Sequence, residues 1–401
     1  MADRNGPRVA RWLRVRPTRE DHSVTDFELL FDLVYVFALT QVTGYVGHAH
    51  TAEGALQGLL MLALLWWTWC AYTWLGNQAR ADEGLLRTGM AVAMAAVFVV
   101  ALTIPEAWHD AEGGLDGPVV FVLGYLVVRS VHLAVYGVAA RDDADLRHQV
   151  AISWFWLALG GTLLLVGALL GGWAETALFA AALAVDWGGT YVTSRDGSWR
   201  VHSATHWTER YGLFVILAIG ESIVAIGVGA ADQAIGVGLL LAAVLGVAAA
   251  ICLWWLYFDV VSVAAERRFH EARGAERMRL AIEAYTYGHF PIVAGIIVAA
   301  IGVEGVLAHA GDSTGLGAFY AVPLYGGTAL YLAGHLFFKR RVLGSTSRER
   351  PLALAALLLV LPLAIVLPPL AALAGVVLIL AALIAVESRR YADQRRGVRA
   401  A

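Results

Sequence analysis

The sequence predicts an all-α membrane protein of about twelve transmembrane helices, arranged as two parallel six-helix repeats. Three observations carry that fold class. Hydrophobic residues make up 59% of the 401 and charged residues only 15%, against about 25% charged in an average soluble domain. Apolar runs of about 20 residues, the length that crosses a bilayer as a helix, recur twelve times. The 29 basic residues are also segregated along the chain. They fall in the N-terminal tail (Arg4, Arg8, Arg11, Arg14, Arg16, Arg19), in the even-numbered connections and in the C-terminal tail (Arg389, Arg390, Arg395, Arg396, Arg399). The odd-numbered connections contain none, which places both termini in the cytoplasm by the positive-inside rule. The one exception is Arg129, halfway along the fourth span.

In order, the spans cover roughly 27–47, 56–76, 86–105, 118–140, 150–171 and 173–193, then 210–230, 236–258, 284–303, 316–338, 351–367 and 369–387. The Arg-rich tail, 1–26, leads into the first span without a small-residue cleavage site, so that span reads as an uncleaved start-transfer helix. Spans one to six form a first half, 27–193, and spans seven to twelve a second, 210–387. A cytoplasmic connection, 194–209, joins them, and a basic cytoplasmic tail, 388–401, closes the chain. A half with an even number of spans re-enters in its original orientation, so a duplication would be a parallel repeat. Glu28 is matched by Glu209, Cys70 by Cys252 and Asn77 by Asp259 at near-equal offsets, and Trp clusters accompany both cysteines. Gly167, Gly171, Gly326, Gly327 and Gly334 are candidates for close helix packing. Trp108, Trp173 and Trp199, near span ends, fit an interfacial aromatic belt. Two cysteines, both within spans, exclude a disulfide framework.

Ionisable groups inside a bilayer are expensive, so those present are the candidate functional residues. Glu28 and Asp32 stand one turn apart on span one, followed by Tyr35. Two desolvated carboxylates at that spacing would share a proton; alternatively Glu28 lies at the headgroups and only Asp32 is buried. Span four carries Tyr125, Arg129, His132 and Tyr136 on one face. By estimated depth the carboxylates available to Arg129 are Glu221, Asp186 and Asp32, for a structural ion pair or for a coupling group. Spans nine and ten add His289 and His335, each a turn beyond a tyrosine, with Pro291 expected to interrupt span nine. His202, His206 and Glu209 have a spacing that could present metal ligands, but Arg210 beside them opposes a cation, and capping or headgroup contacts are the preferred reading. No metal and no cofactor is expected. The chain has no phosphate-cradling glycine loop, nucleophile elbow or HExxH helix. Its charge is segregated by membrane side, with no basic face interleaved with stacking aromatics, so nucleic acid is not an expected partner.

The string ELLFDLVYVFALTQVT, Glu28 to Thr43, resembles the opening signature of the low temperature requirement protein A (LtrA) family. The resemblance continues through WWTWCAYTW, then HWTERYGLFVILAIGESIVAIG from His206, YTYGHFPIVAGI from Tyr285 and PLYGGTALYLAGHLFFKRR. It implies that Glu28, Asp32, His206, Glu209, Arg210, Glu221, Ser222, His289 and His335 are family motif positions. It further implies a bacterial inner-membrane protein associated with growth in the cold, without a defined biochemical activity. A shorter likeness, FDLVYVFALT from Phe31 to Thr40, is to a helix of two-times-six-helix potassium and proton channels. The arginine preceding that motif is absent and Leu213 stands where its aspartate would repeat, so it implies at most a related architecture.

The expected partners are the lipid bilayer and a small solute or ion, and no feature selects an oligomeric state. The leading function is a transporter or permeation pathway with an intramembrane proton or ion relay through Glu28, Asp32, Arg129, His132, Asp186, Glu221, Ser222, His289 and His335. The alternatives are a membrane enzyme acting on a lipid from the cytoplasmic side, with Glu28, Asp32, His206, Glu209, Arg210 and His289, and a non-catalytic membrane or cold-stress component. The topology carries its own test. Reporters fused after Gly114 and Asp312 are expected outside the cytoplasm and those after Asp143 and Arg273 inside, and a cytoplasmic reporter at Gly114 would contradict the assignment.

Overall fold

The computed structural model describes Thr18, Glu20 and residues 22–194, 199–231 and 233–390. The arginines of the N-terminal tail, together with Arg395, Arg396 and Arg399, lie outside the described residues. The described chain is built of helices: α1 (Asp26–Ala49), α2 (Ala52–Gln78), α3 (Gly84–Thr103), α4 (Gly117–Ala139), α5 (Ala144–Leu170), α6 (Gly172–Ser194), α7 (Ala204–Ala230) and α8 (Val237–Phe258). A short α9 (Val261–Glu271) precedes α10 (Gly274–Arg279), which runs through a π-helical turn, Leu280–Tyr287, towards α11 (Phe290–Ala308). Next α12 (Ala318–Val322) passes through a second π turn, Pro323–Gly327, into α13 (Thr328–Leu343), followed by α14 (Glu349–Val366) and α15 (Pro369–Arg390).

Each predicted span falls on helix, with ends that differ from the apolar windows by a few residues in either direction. The fifth begins at Ala144, where Asp143 caps it by accepting the N–H groups of Asp145 and Leu146. Among the described residues ten helices are long and apolar enough to cross a membrane. The other two predicted spans, α6 and the α12–α13 run, are helical but carry more polar side chains: Glu175 and Asp186 on α6, Lys339, Arg340 and Arg341 on α13. Large apolar residues such as Leu33, Leu240, Val244, Leu359 and Leu378 point outward, while Asp32, Arg129, Glu221 and His335 are buried. That inversion of the soluble pattern is what a lipid environment selects.

The helices group into two compact units, one comprising the described residues up to Ala38 with Leu64–Glu209, the other Leu39–Ala63 with the residues from Arg210 onward. In the first, α3 packs on α4, α4 on α5 and α5 on α6. In the second, α11 packs on α13, α8 and α14 on α15, and α13 on α14.

Packing in the second unit depends on absent side chains. A Cβ on Gly295 would lie 2.4 Å from the Tyr331 nitrogen, and one on Gly327 2.4 Å from the Ala299 nitrogen. Gly334 is similarly tight against Ile292, and in the first unit a Cβ on Gly167 would lie 3.2 Å from Leu178 and Phe179, so three of the predicted packing glycines are close-approach positions. A Cβ on Gly326 would meet only a Val322 methyl at 4.0 Å, and Gly171 instead ends α5 with φ of 69°. Trp108 is not a belt residue either: it is buried and donates its indole N–H to Thr176 at 3.0 Å. Trp173 is exposed, as an interfacial residue would be.

Candidate functional site: buried charges within each unit

The N-terminus of α1 is a capping box. Thr25 Oγ1 accepts from the Glu28 N–H at 3.4 Å, and Glu28 Oε2 accepts from the Thr25 N–H at 3.0 Å. The second oxygen, Oε1, takes the His206 Nε2–H at 2.7 Å. Gly76 of α2 makes room, since a Cβ there would sit 2.6 Å from that oxygen. Ser203 caps α7 by accepting the His206 N–H at 3.1 Å.

Asn77 fixes the His206 tautomer. Its Oδ1 accepts from the N–H groups of His202 (2.7 Å) and Ser203 (3.3 Å), and its Nδ2 donates to the Ser203 carbonyl at 2.7 Å. With the amide so oriented, Nδ2 faces His206 Nδ1 at 3.2 Å as a donor. Nδ1 is therefore an acceptor and Nε2 carries the proton given to Glu28. His22 stacks on the His206 ring, with centroids 5.3 Å apart. Burial and the neighbouring His206 hold the His22 pKa below its ordinary value, so it is neutral at pH 7. The ligand atoms of His22, Glu28 and His206 lie within 4.8 Å of one another, near enough to grip a metal ion. A metal on Nε2 would move the proton to Nδ1, against the Asn77 donor, which argues against that use. Glu209, the other acid of the motif, accepts the Val24 N–H at 3.0 Å, and Arg210 is fully buried.

Asp32, 1% exposed, accepts Trp69 Nε1–H at 2.8 Å. Of the three carboxylates available by depth, Arg129 pairs with Asp186: Nη2 lies 3.1 Å from Oδ2 and 3.3 Å from Oδ1. Trp67 Nε1 donates to the same Oδ2 at 2.7 Å, and its ring lies 5.8 Å from the guanidinium carbon. His132, one turn on, packs between Tyr72 and Tyr136, and its ring nitrogens make no well-formed hydrogen bond although the Ala71 backbone is within reach.

In the second unit Glu221 is held by two hydroxyls of α1. Thr40 Oγ1 donates at 2.6 Å and Thr43 Oγ1 at 3.0 Å. Glu304 of α11 lies within electrostatic reach of Glu221 and of His48, at the end of α1. Ser222 turns instead to a small apolar cavity with Gly246, Ala299 and Thr328. His289 fills a π turn. Its Nδ1–H donates to the Ala284 carbonyl, five residues back, at 3.0 Å, and its Nε2 accepts from the Tyr257 hydroxyl at 2.8 Å. Pro291, having no N–H, follows directly. His335 Nδ1 accepts from Arg350 Nη1 at 2.7 Å, which keeps that imidazole neutral beside a fixed cation.

Arg350 is also a correction. The sequence assigns every basic residue but Arg129 to a cytoplasmic surface, yet Arg210, Arg277 and Arg350 are buried. For Arg350 the reason is a bidentate pair: Nε and Nη2 meet the two oxygens of Glu387 at 2.9 and 3.1 Å. Sequence reasoning also missed Thr40, Thr43, Glu304 and Glu387. In the sequence the tryptophans mark only a repeat; the structure makes Trp69 a donor to Asp32 and Trp67 a donor to Asp186.

Outward-facing apolar helices around buried acids, an arginine and histidines define a multi-pass helical membrane protein. The family model described as bacterial low temperature requirement A protein (LtrA) matches residues 23–385. The chain belongs to that family. It is 30% identical over 342 residues to an uncharacterized protein of Rhizobium meliloti (strain 1021), a match covering 82% of this chain and 80% of that protein. No solved structure matches it.

Proposed function

We propose that the protein is a permeation pathway for protons or a monovalent cation, with α1 as its polar rail. The observation that supports this reading is the polar side chains that α1 carries on adjoining faces: Glu28, Asp32, Tyr35, Thr40 and Thr43. At 1.5 Å per residue they run roughly 22 Å along the helix, most of the hydrocarbon core. Each of the deeper members is held. Asp32 is bonded to Trp69, Tyr35 donates to Thr68 at 3.0 Å, and Thr40 and Thr43 bind Glu221. Packing alone needs none of these polar groups, and each costs insertion free energy. Oxygen ligands of this kind bind a hard monovalent cation or pass a proton, while Arg129 with Asp186 and His206 with Glu28 brace the flanking helices. The protein would reside in the bacterial cytoplasmic membrane with both termini inside, and the family association with growth in the cold would reflect a defect in ion or pH balance.

The test is reconstitution. Liposomes containing the purified protein are expected to pass protons, sodium or potassium faster than protein-free vesicles under an imposed gradient. Absence of flux under proton, sodium and potassium gradients of both signs would remove the reading.

A further inference from the structure

The second unit contains a cavity of about 340 Å³ where α8, α13, α14 and α15 end. That is the size of a small-ligand site. It shares no residue with the α1 rail, and its chemistry differs. Its floor is Arg350, locked by Glu387 as above and by Nη2 donating to the Leu256 carbonyl at 3.2 Å. Ser347 Oγ donates to Glu387 Oε1 at 3.2 Å and completes that neutral, rigid floor. The charged groups that remain on the lining are Asp259, which has a partner of its own, and Lys339. The latter is the only lysine among the 29 basic residues, it lines the cavity, and its ammonium makes no hydrogen bond or ion pair with a described residue. Ser345 and Thr346, both exposed, present hydroxyls to the same space. These residues lead into α14, whose first N–H groups have no side-chain cap at Arg348 and so add a positive helix end. Arg340 and Arg348 are exposed nearby and raise the local positive potential.

We infer that this cavity binds a phosphate-bearing anion, gripped by Lys339, Ser345 and Thr346 over the Arg350–Glu387 floor. A compact ammonium with two hydroxyls suits a tetrahedral oxyanion. A free phosphate compound and an anionic phospholipid headgroup both supply it. The proposal is independent of ion permeation, because none of its residues belongs to the α1 rail.

The experiment uses the full-length protein in nanodiscs and follows its thermal unfolding midpoint. One arm compares phosphatidylcholine discs with discs containing phosphatidylglycerol, and the other adds inorganic phosphate to phosphatidylcholine discs. At saturation a rise of about 3 °C or more is expected in one arm, and the arm that responds names the source. Lys339→Gln should weaken the apparent affinity by roughly tenfold or more, whereas Arg340→Gln, which removes a neighbouring charge outside the cavity, should leave it within about twofold. Should Lys339→Gln fail to fold, the Ser345→Ala/Thr346→Ala double variant takes its place with the same expected loss. No shift in either arm, an undiminished shift in the cavity variant, or an equal loss in Arg340→Gln overturns the inference.

Discussion

Arg129→Leu is expected to destabilise the folded protein by about 3 to 5 kcal/mol, because it leaves the Asp186 carboxylate buried without its cation. The measurement is thermal unfolding of purified protein, with the monodisperse fraction as the readout. Asp186→Asn alone should cost a comparable amount, since it strands a guanidinium that is 4% exposed. The two together should recover much of the loss, as neither charge then remains. Asp32→Asn in the Arg129→Leu background should give no such recovery, because Asp32 is bonded to Trp69. Strict additivity of Arg129→Leu and Asp186→Asn would mean that the two do not interact.

The second large effect concerns the α11–α13 contact. Gly295→Val and Gly327→Val are each expected to destabilise by more than about 3 kcal/mol, at or beyond the upper end of overpacking costs. The atoms a new Cβ would meet, the nitrogens of Tyr331 and Ala299 at 2.4 Å, belong to backbone and cannot rotate away. Gly326→Ala is the control, since its nearest neighbour is a Val322 methyl at 4.0 Å. Folded yield of Gly295→Val equal to that of Gly326→Ala would show that the helices do not approach as described.

Helix positions were legible because hydropathy responds to the bilayer directly, and the tyrosine–arginine–histidine stripe of α4 was legible from its spacing. Depth along a helix does not say which neighbour stands beside it: by depth Glu221 is the nearest candidate for Arg129, with Asp186 and Asp32 somewhat more cytoplasmic, and packing selects Asp186. The Thr25-x-x-Glu28 capping box is a local signal present in the sequence, and it accounts for one oxygen of the buried Glu28. Helix α9 was also readable, from Val261, Ala265 and Phe269 at four-residue intervals on its buried face. The roles of Trp67 and Trp69 as donors, of Thr40 and Thr43 as a carboxylate clasp, and of Glu387 as the partner that buries Arg350 depend on contacts between helices distant in sequence. No periodicity encodes them. The π turn that seats His289 is likewise set by a side chain taking a backbone carbonyl, with only Pro291 as its outward sign.

The measurement that bears most directly on the α1 rail is ion flux into proteoliposomes, comparing the unaltered protein with Asp32→Asn and with Glu221→Gln at equal folded protein. The rail predicts measurable flux for the unaltered chain and its loss in both variants, since Asp32 lies on the first half of α1 and Glu221, on α7, is bonded to Thr40 and Thr43 of its second half, and both are needed for passage. Undiminished flux in both folded variants would contradict it.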